Sequence, residues 1–127
     1  MTRGQALSYW FHEGTATFVA EVAGKVIGTY ILKANQPGLG SHVANASFMV
    51  SSLARGHGAG RRMGEHCLEE ARKAGFLAMQ FNIVISTNEV AVRLWKQLGF
   101  EIVGTVPDAY RHSQLGLVDA HVMYCRL

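Results

Sequence analysis

Val50-Ser51-Ser52-Leu53-Ala54-Arg55-Gly56-His57-Gly58-Ala59-Gly60-Arg61-Arg62 carries an apolar run into three glycines at alternate positions and then into a helical pattern. Physically this reads as a strand, a tight turn and the exposed first amides of a helix. Such amides have no intrahelical acceptor and carry the positive end of the helix dipole, so they form an anion site. Glycine admits positive φ and leaves no Cβ between the amides and a phosphate. Arg55, Arg61 and Arg62 add charge around the same place. A phosphate or pyrophosphate is the expected guest.

Two common glycine loops are excluded. The dinucleotide pattern G-x-G-x-x-G fails because Arg61 follows Gly58 by three residues and Met63 follows Gly60 by three. The nucleotide loop G-x-x-x-x-G-K-[ST] fails because Val26 follows the Gly24-Lys25 pair. What remains is R-x-x-G-x-G after an apolar strand.

The 127 residues suit one domain spanning 1–127, large enough for a core without metal or disulfide staples. A hydrophobic fraction of 49% and a charged fraction of 17% are ordinary for a globular protein. No apolar run approaches a membrane span, and the N-terminus does not read as a signal peptide. Cys67 and Cys125 lie far apart without metal or C-x-x-C spacing, which fits packed thiols in a reducing cytoplasm. The net charge of +3 is scattered rather than gathered into a run, so nucleic acid is not the expected partner. A coenzyme with three phosphates is anionic partner enough.

Along the chain, Leu7, Trp10 and Phe11 have helical spacing within residues 5–12. Thr15–Glu21 and Lys25–Lys33, joined at Ala23-Gly24, read as a β-hairpin. Breaker residues make 35–40 a loop, and His42–Ser51 is a strand central to the sheet. Arg61–Ala74 is a helix burying Met63, Cys67, Leu68, Ala71 and Ala74, stopped by Gly75. Gly64 inside it either permits a close approach to the sheet or cofactor or is simply tolerated, at about 1 kcal/mol relative to alanine. The apolar run Phe76–Ile85 predicts a strand covered on both faces. Ser86-Thr87-Asn88 caps a helix over Glu89–Leu98, with Ala91, Leu94, Trp95 and Leu98 as its buried stripe and Gly99 as its stop. Glu101–Val106 is a strand, 107–117 a long polar loop, and Val118–Arg126 a closing strand. The alternation points to an α/β domain with mixed pairing and a right-handed crossover through the first long helix.

The second half carries another motif. From Asn88 through Ala91, Leu94, Trp95, Gly99 and Phe100 the chain reads N-x-x-A-x-x-L-W-x-x-x-G-F. Together with R-x-x-G-x-G upstream, this resembles the two ordered blocks of the GNAT acetyltransferase superfamily, over roughly residues 15–127. The resemblance implies a mixed, mostly antiparallel central sheet flanked by helices, here with a shortened N-terminal region. It also implies an N-acetyltransferase using acetyl-CoA. The strand before the loop would splay from its neighbour, and the backbone of Phe48, Met49 and Val50 would meet the pantetheine. Arg55 and the amides of Gly56, His57, Gly58, Ala59, Gly60 and Arg61 would hold the pyrophosphate. Asn88 would bond the pantetheine arm or serve as a helix cap. Trp95 stands where many members place the tyrosine that protonates the leaving thiolate. An indole N–H is no useful proton donor, which leaves water, Tyr110 or Tyr124 for that step.

Direct amine attack on a thioester gains chiefly from positioning, and an amide near Val50 would polarise the carbonyl. No Asp or Glu lies on His42–Ser51 or Phe76–Ile85 to act as a dedicated base. Asn45 and Asn82 interrupt those strands and need partners, either structural or on the acceptor. The strings His42-Val43-Ala44-Asn45-Ala46 and Phe81-Asn82-Ile83-Val84 resemble the fungal acetyltransferases that detoxify proline analogues. That narrower resemblance favours a small-molecule amine, an amino acid or its analogue, as acceptor. His57 and His66 are expected at solvent or phosphate, and His121 beside Asp119 is either a packed strand residue or a base. No histidine pair has metal spacing, so no metal is expected. Acetylation of a protein N-terminus or lysine, and a non-catalytic acyl-CoA sensor, stay open as alternatives. A homodimer would cover the apolar surface left by the short N-terminal region.

Overall fold

The computed structural model describes residues 14–52 and 58–127, so the 5–12 helix lies outside the described residues. The hairpin pairs β1 (Ala16–Val22) with β2 (Lys25–Ala34). Ala23 and Gly24 turn it with φ of 51° and 79°, the doubly positive turn that matches strand twist. β2 pairs antiparallel with β3 (Val43–Val50), which leads towards the glycine stretch. Helix α1 (Ala59–Lys73) returns the chain to β4 (Ala78–Ile85), and α2 (Glu89–Gln97) precedes β5 (Glu101–His112) and β6 (Gly116–Arg126). The sheet order is β1-β2-β3-β4-β6-β5, with β3–β4 as its parallel pair and β3 interior as expected.

Both helices stop at glycine by the same device. Gly75 (φ 90°) and Gly99 (φ 102°) take the left-handed conformation. Phe76 N–H then reaches the Ala71 carbonyl at 3.1 Å, and Phe100 N–H the Trp95 carbonyl at 3.0 Å. α1 buries Met63, Cys67, Leu68 and Ala71 against Tyr30, Leu32, Ala44 and Ala46 of the sheet. Ala74 is the helix cap and is exposed rather than part of the stripe. On α2, Trp95 is buried, while Ala91, Leu94 and Leu98 pack half-buried on the same core.

Two expectations need correction. Residues 107–117 are no loop: β5 runs on to His112 and β6 begins at Gly116, with the turn at 113–115. Pro107 fits because β5 is an edge strand and the pairing with β6 breaks between Val106 and Tyr110. There Asp108 takes φ 52°, and its N–H donates to Asp119 Oδ1 at 3.1 Å. Nor is β4 covered on both faces throughout. It bulges between Phe81 and Val84, leaving Ile83 62% exposed.

Both cysteines are free and buried. Burial pushes the Cys67 thiol up to about 12 and also raises that of Cys125. The native Cys67 keeps its proton where the unfolded thiol has lost its own. Stability contributed below the unfolded value of 9.0 is therefore lost as pH rises towards 12. Urea midpoints should fall as pH rises across that window. At pH 8 a thiol reagent should leave Cys67 unlabelled until denaturant is added; rapid native labelling would contradict its burial.

Candidate active site

The site opens where β3 and β4 part. Their pairing consists of Val43 with Ala78 and Ala44 with Met79, and β4 runs on beside β6. Beyond Ala44, therefore, the β4 side of β3 has no ladder. Two bonds fix which amides face that side: Asn35 N–H to the Val43 carbonyl and Ser51 N–H to the Ile27 carbonyl. In an antiparallel ladder these make Ala44/Ala34 and Val50/Gly28 non-hydrogen-bonded pairs. The N–H and C=O of Ala46, Phe48 and Val50 accordingly point away from β2, into the gap. The side chain of Asn45 spans the start of the gap, donating from Nδ2 to the Gln80 carbonyl at 2.9 Å.

A cleft of about 1700 Å³ fills the parting. β3 contributes Asn45, Phe48 and Val50, and the start of α1 contributes Gly58, Ala59, Gly60 and Arg61. α2 and its cap contribute Asn88 and Trp95; Asn82 and Tyr110 come from β4 and β5. Met49 is exposed on the other face of β3 and does not line the cleft by its side chain. Arg55, Gly56 and His57 lie outside the described residues. Sequence reasoning left out Arg111, His112 and Ser113, which line the cleft because β5 extends past the bulge. The only sequence signal for them was the β-compatible Tyr110–His112 run hidden behind Pro107.

At the cleft's floor, Gly58 is the N-cap of α1 with φ 73°. The helix starts at Ala59 rather than Arg61 because this left-handed cap already turns the chain. The first intrahelical bond is Arg62 N–H to the Gly58 carbonyl at 3.1 Å, so the amides of Ala59, Gly60 and Arg61 precede the ladder. Arg61 is held by Glu65 Oε1 at 2.8 Å and Gln97 Oε1 at 3.3 Å. Asn88 Oδ1 accepts from Ala91 N–H at 3.2 Å, so the residue caps α2. Its Nδ2 has no hydrogen bond among the described residues.

The wall residues are interlocked. Asn82 Nδ2 donates to Asn35 Oδ1 at 2.8 Å, and Gln80 Nε2 donates to Asn82 Oδ1 at 3.0 Å. Asn45 and Asn82 thus each have a structural partner. Trp95 is 9% exposed and packs on Phe48, Phe81 and Phe100. Tyr110 is 40% exposed. Tyr124 instead sits in β6 between Gln80 and Glu101 and does not line the cleft.

His121 and His66 have structural partners. His121 Nδ1 meets Thr105 Oγ1 at 2.9 Å, while Asp119 Oδ1 accepts the Asp108 amide. His66 is half-exposed, and its Nδ1 lies 2.6 Å from Tyr30 Oη. Burial, then the charges of Cys67 and Glu70, raise the Tyr30 phenol. It stays protonated and shares a hydrogen bond with His66. No cluster of metal-ligating side chains occurs among the described residues.

Residues 2–100 match the family model for the Acetyltransferase (GNAT) family. The chain belongs to this family. Its members draw their acetyl group from acetyl-CoA. The GNAT chain is 38% identical over 98 residues to N-acetyltransferase aca1 of Schizosaccharomyces pombe, covering 76% of this chain and 47% of that one. It therefore spans about half the length of that curated relative. Among solved structures, a GCN5-related N-acetyltransferase from Kribbella flavida is 46% identical with a TM-score of 0.95. That likeness covers 100% of this chain and 78% of the other. A ribosomal-protein-alanine N-acetyltransferase from Brucella melitensis is 29% identical, with a TM-score of 0.82 and coverage of 98% and 76%. The six-stranded, mostly antiparallel sheet is the GNAT fold that the two motifs implied.

Proposed function

We propose that this GNAT domain transfers an acetyl group from acetyl-CoA to a primary or secondary amine of a small molecule, an amino acid or analogue. One observation carries the reading. Unladdered amides of β3 lie along a single cleft that ends at the left-handed cap and free first amides of α1. The pantetheine amides would add to β3 as a strand does, through Phe48 and Val50, with the backbone of Met49 between them. The pyrophosphate would rest on the start of α1, from Gly58 to Arg61, extended upstream by Arg55, Gly56 and His57. Nδ2 of Asn88 would bond the pantetheine arm while Oδ1 caps the helix. Trp95 would shape the wall at the thioester rather than titrate.

In the ternary complex, the neutral amine attacks the thioester carbonyl carbon. A backbone amide of β3 near Val50 supports the developing oxyanion, the C–S bond breaks, the attacking nitrogen gives its surplus proton to water, and Tyr110 or water, replenished from solvent, protonates the thiolate. Asn45 and Asn82 would present their carboxamides to the acceptor. The cytoplasm is the compartment this chemistry suits, and a homodimer is the assembly we propose.

Thiol release from acetyl-CoA should be measured against amino acids, polyamines and peptides with free N-termini. Turnover confined to amino acids is the expected result. Preference for peptides would favour the protein-acetylating alternative, to which the ribosomal-protein-alanine relative lends support. Tight coenzyme binding with no turnover across the panel would favour the sensor alternative.

A further inference from the structure

α1 meets α2 through glycine. A Cβ on Gly64 would lie 2.7 Å from Leu98 Cδ1 and 3.0 Å from Trp95 Cζ3. One on Gly60, a turn earlier, would meet Leu94 Cδ2 at an ordinary 3.5 Å. The approach expected at Gly64 is therefore made to α2, not to the sheet. The two obstructing groups differ in what they can do. Leu98 is half-buried and its methyl can rotate aside. Trp95 can move only by pressing on Phe48, Phe81 and Phe100, whose ring centroids lie 5.0, 4.6 and 5.8 Å away. Phe48 belongs to the strand whose unladdered amides face the cleft. Arg61 ties the helices at their other contact, from the start of α1 to Gln97 at the end of α2.

We infer that Gly64 is a positioning residue for the coenzyme: its missing side chain seats Trp95 and Leu98 on α1, and so fixes the separation between the first amides of α1 and the Phe48–Trp95 wall. This rests on reading the cleft as the acetyl-CoA site. A side chain at Gly64 drives Trp95 towards Phe48 and tilts α2, which carries Asn88, away from the anion site. The coenzyme would meet its two ends at the wrong spacing, while the acceptor side, built from β4 and β5, stays in place.

The test compares the wild-type chain with Gly64→Ala and with Gly64→Ala/Trp95→Phe, which lacks the far indole ring that meets the new methyl, well below their unfolding temperatures. Coenzyme A binding is measured by calorimetry, alongside acetyl-CoA KM, kcat and the thermal midpoint. Helix propensity alone would make alanine stabilising here, so a lowered midpoint reports the clash. We expect Gly64→Ala to weaken coenzyme A binding and raise KM by about tenfold or more, since small misplacements are amplified in affinity and rate. The kcat at saturation should stay within about twofold, because binding draws the wall back into place. The double variant should recover most of the affinity, the rigid obstruction being gone and Leu98 free to rotate aside. Should the single variant not fold, recovery of folding and binding in the double variant supports the assignment, and its failure to fold overturns it. A lowered midpoint with unchanged KM would make Gly64 merely structural and overturn the proposal. A wild-type chain that binds no coenzyme A would instead overturn the cleft reading itself.

Discussion

Gly58→Val should lower coenzyme A affinity by about tenfold to a hundredfold while costing the fold about 1–2 kcal/mol. The substitution is informative because space is not the issue. A Cβ at Gly58 meets no heavy atom of the described residues within 4 Å, yet the residue sits at φ 73° as the cap of α1. Any loss must therefore come from the backbone. A β-branched residue resists the left-handed region, so the chain relieves the strain by turning its peptides out of line. The same peptides aim the first amides of α1 at the anion. Asparagine, which tolerates this region, should keep most of the affinity, with alanine between. Calorimetry with coenzyme A on the three variants checks the order. Equal affinity for the Gly58→Val and Gly58→Asn proteins would show that the cap conformation does not place the anion site.

How far the sequence revealed this site depends on which physics each part uses. The αL cap, the two glycine stops and the Asn88 cap are local, set by one residue's conformational range or one side chain's reach. The stops and the Asn88 cap were readable from Gly75, Gly99 and Asn88 alone, whereas nothing singled out Gly58 as the cap among Gly56, Gly58 and Gly60, and the helix was expected from Arg61. The parting of β3 and β4 has no local signature. Ala44 and Ala46 look alike in sequence, yet only Ala44 pairs with β4, whose ladder with β3 stops at Met79 while its pairing with β6 runs on to Ile85. The extension of β5 was hidden for a similar reason. Pro107 and Asp108 are breakers by local rules, but an edge strand needs no ladder N–H from proline, and Asp119 accepts the Asp108 amide from the neighbouring strand. That tertiary contact brings Arg111 and His112 to the cleft. The polar strand residues were ambiguous in the sequence because the partners of Asn82 lie at Asn35 and Gln80, one of them far off in the chain.

Trp95 joins the core to the cleft, and Trp95→Ala should cost about 3–5 kcal/mol. Stability for a domain of this kind is about 5–15 kcal/mol, so the change removes a large share without necessarily unfolding the chain. Phe81 stacks on Phe100 with centroids 4.4 Å apart, and the indole closes the third side of that pair while touching Phe48. With Gly64 beneath it there is no side chain on α1 to collapse into the space, so the cavity persists and its cost is not relieved by repacking. Urea unfolding should show a lower midpoint with an unchanged slope, the mark of lost stability rather than a changed unfolded state. Coenzyme affinity should fall as well, since Phe48 loses its support on the cleft side. Trp95→Phe keeps a ring in the cluster and should retain most of both. A Trp95→Ala loss below about 1 kcal/mol would mean that α2 is held by other contacts, and the shared wall between core and cleft would have to be abandoned.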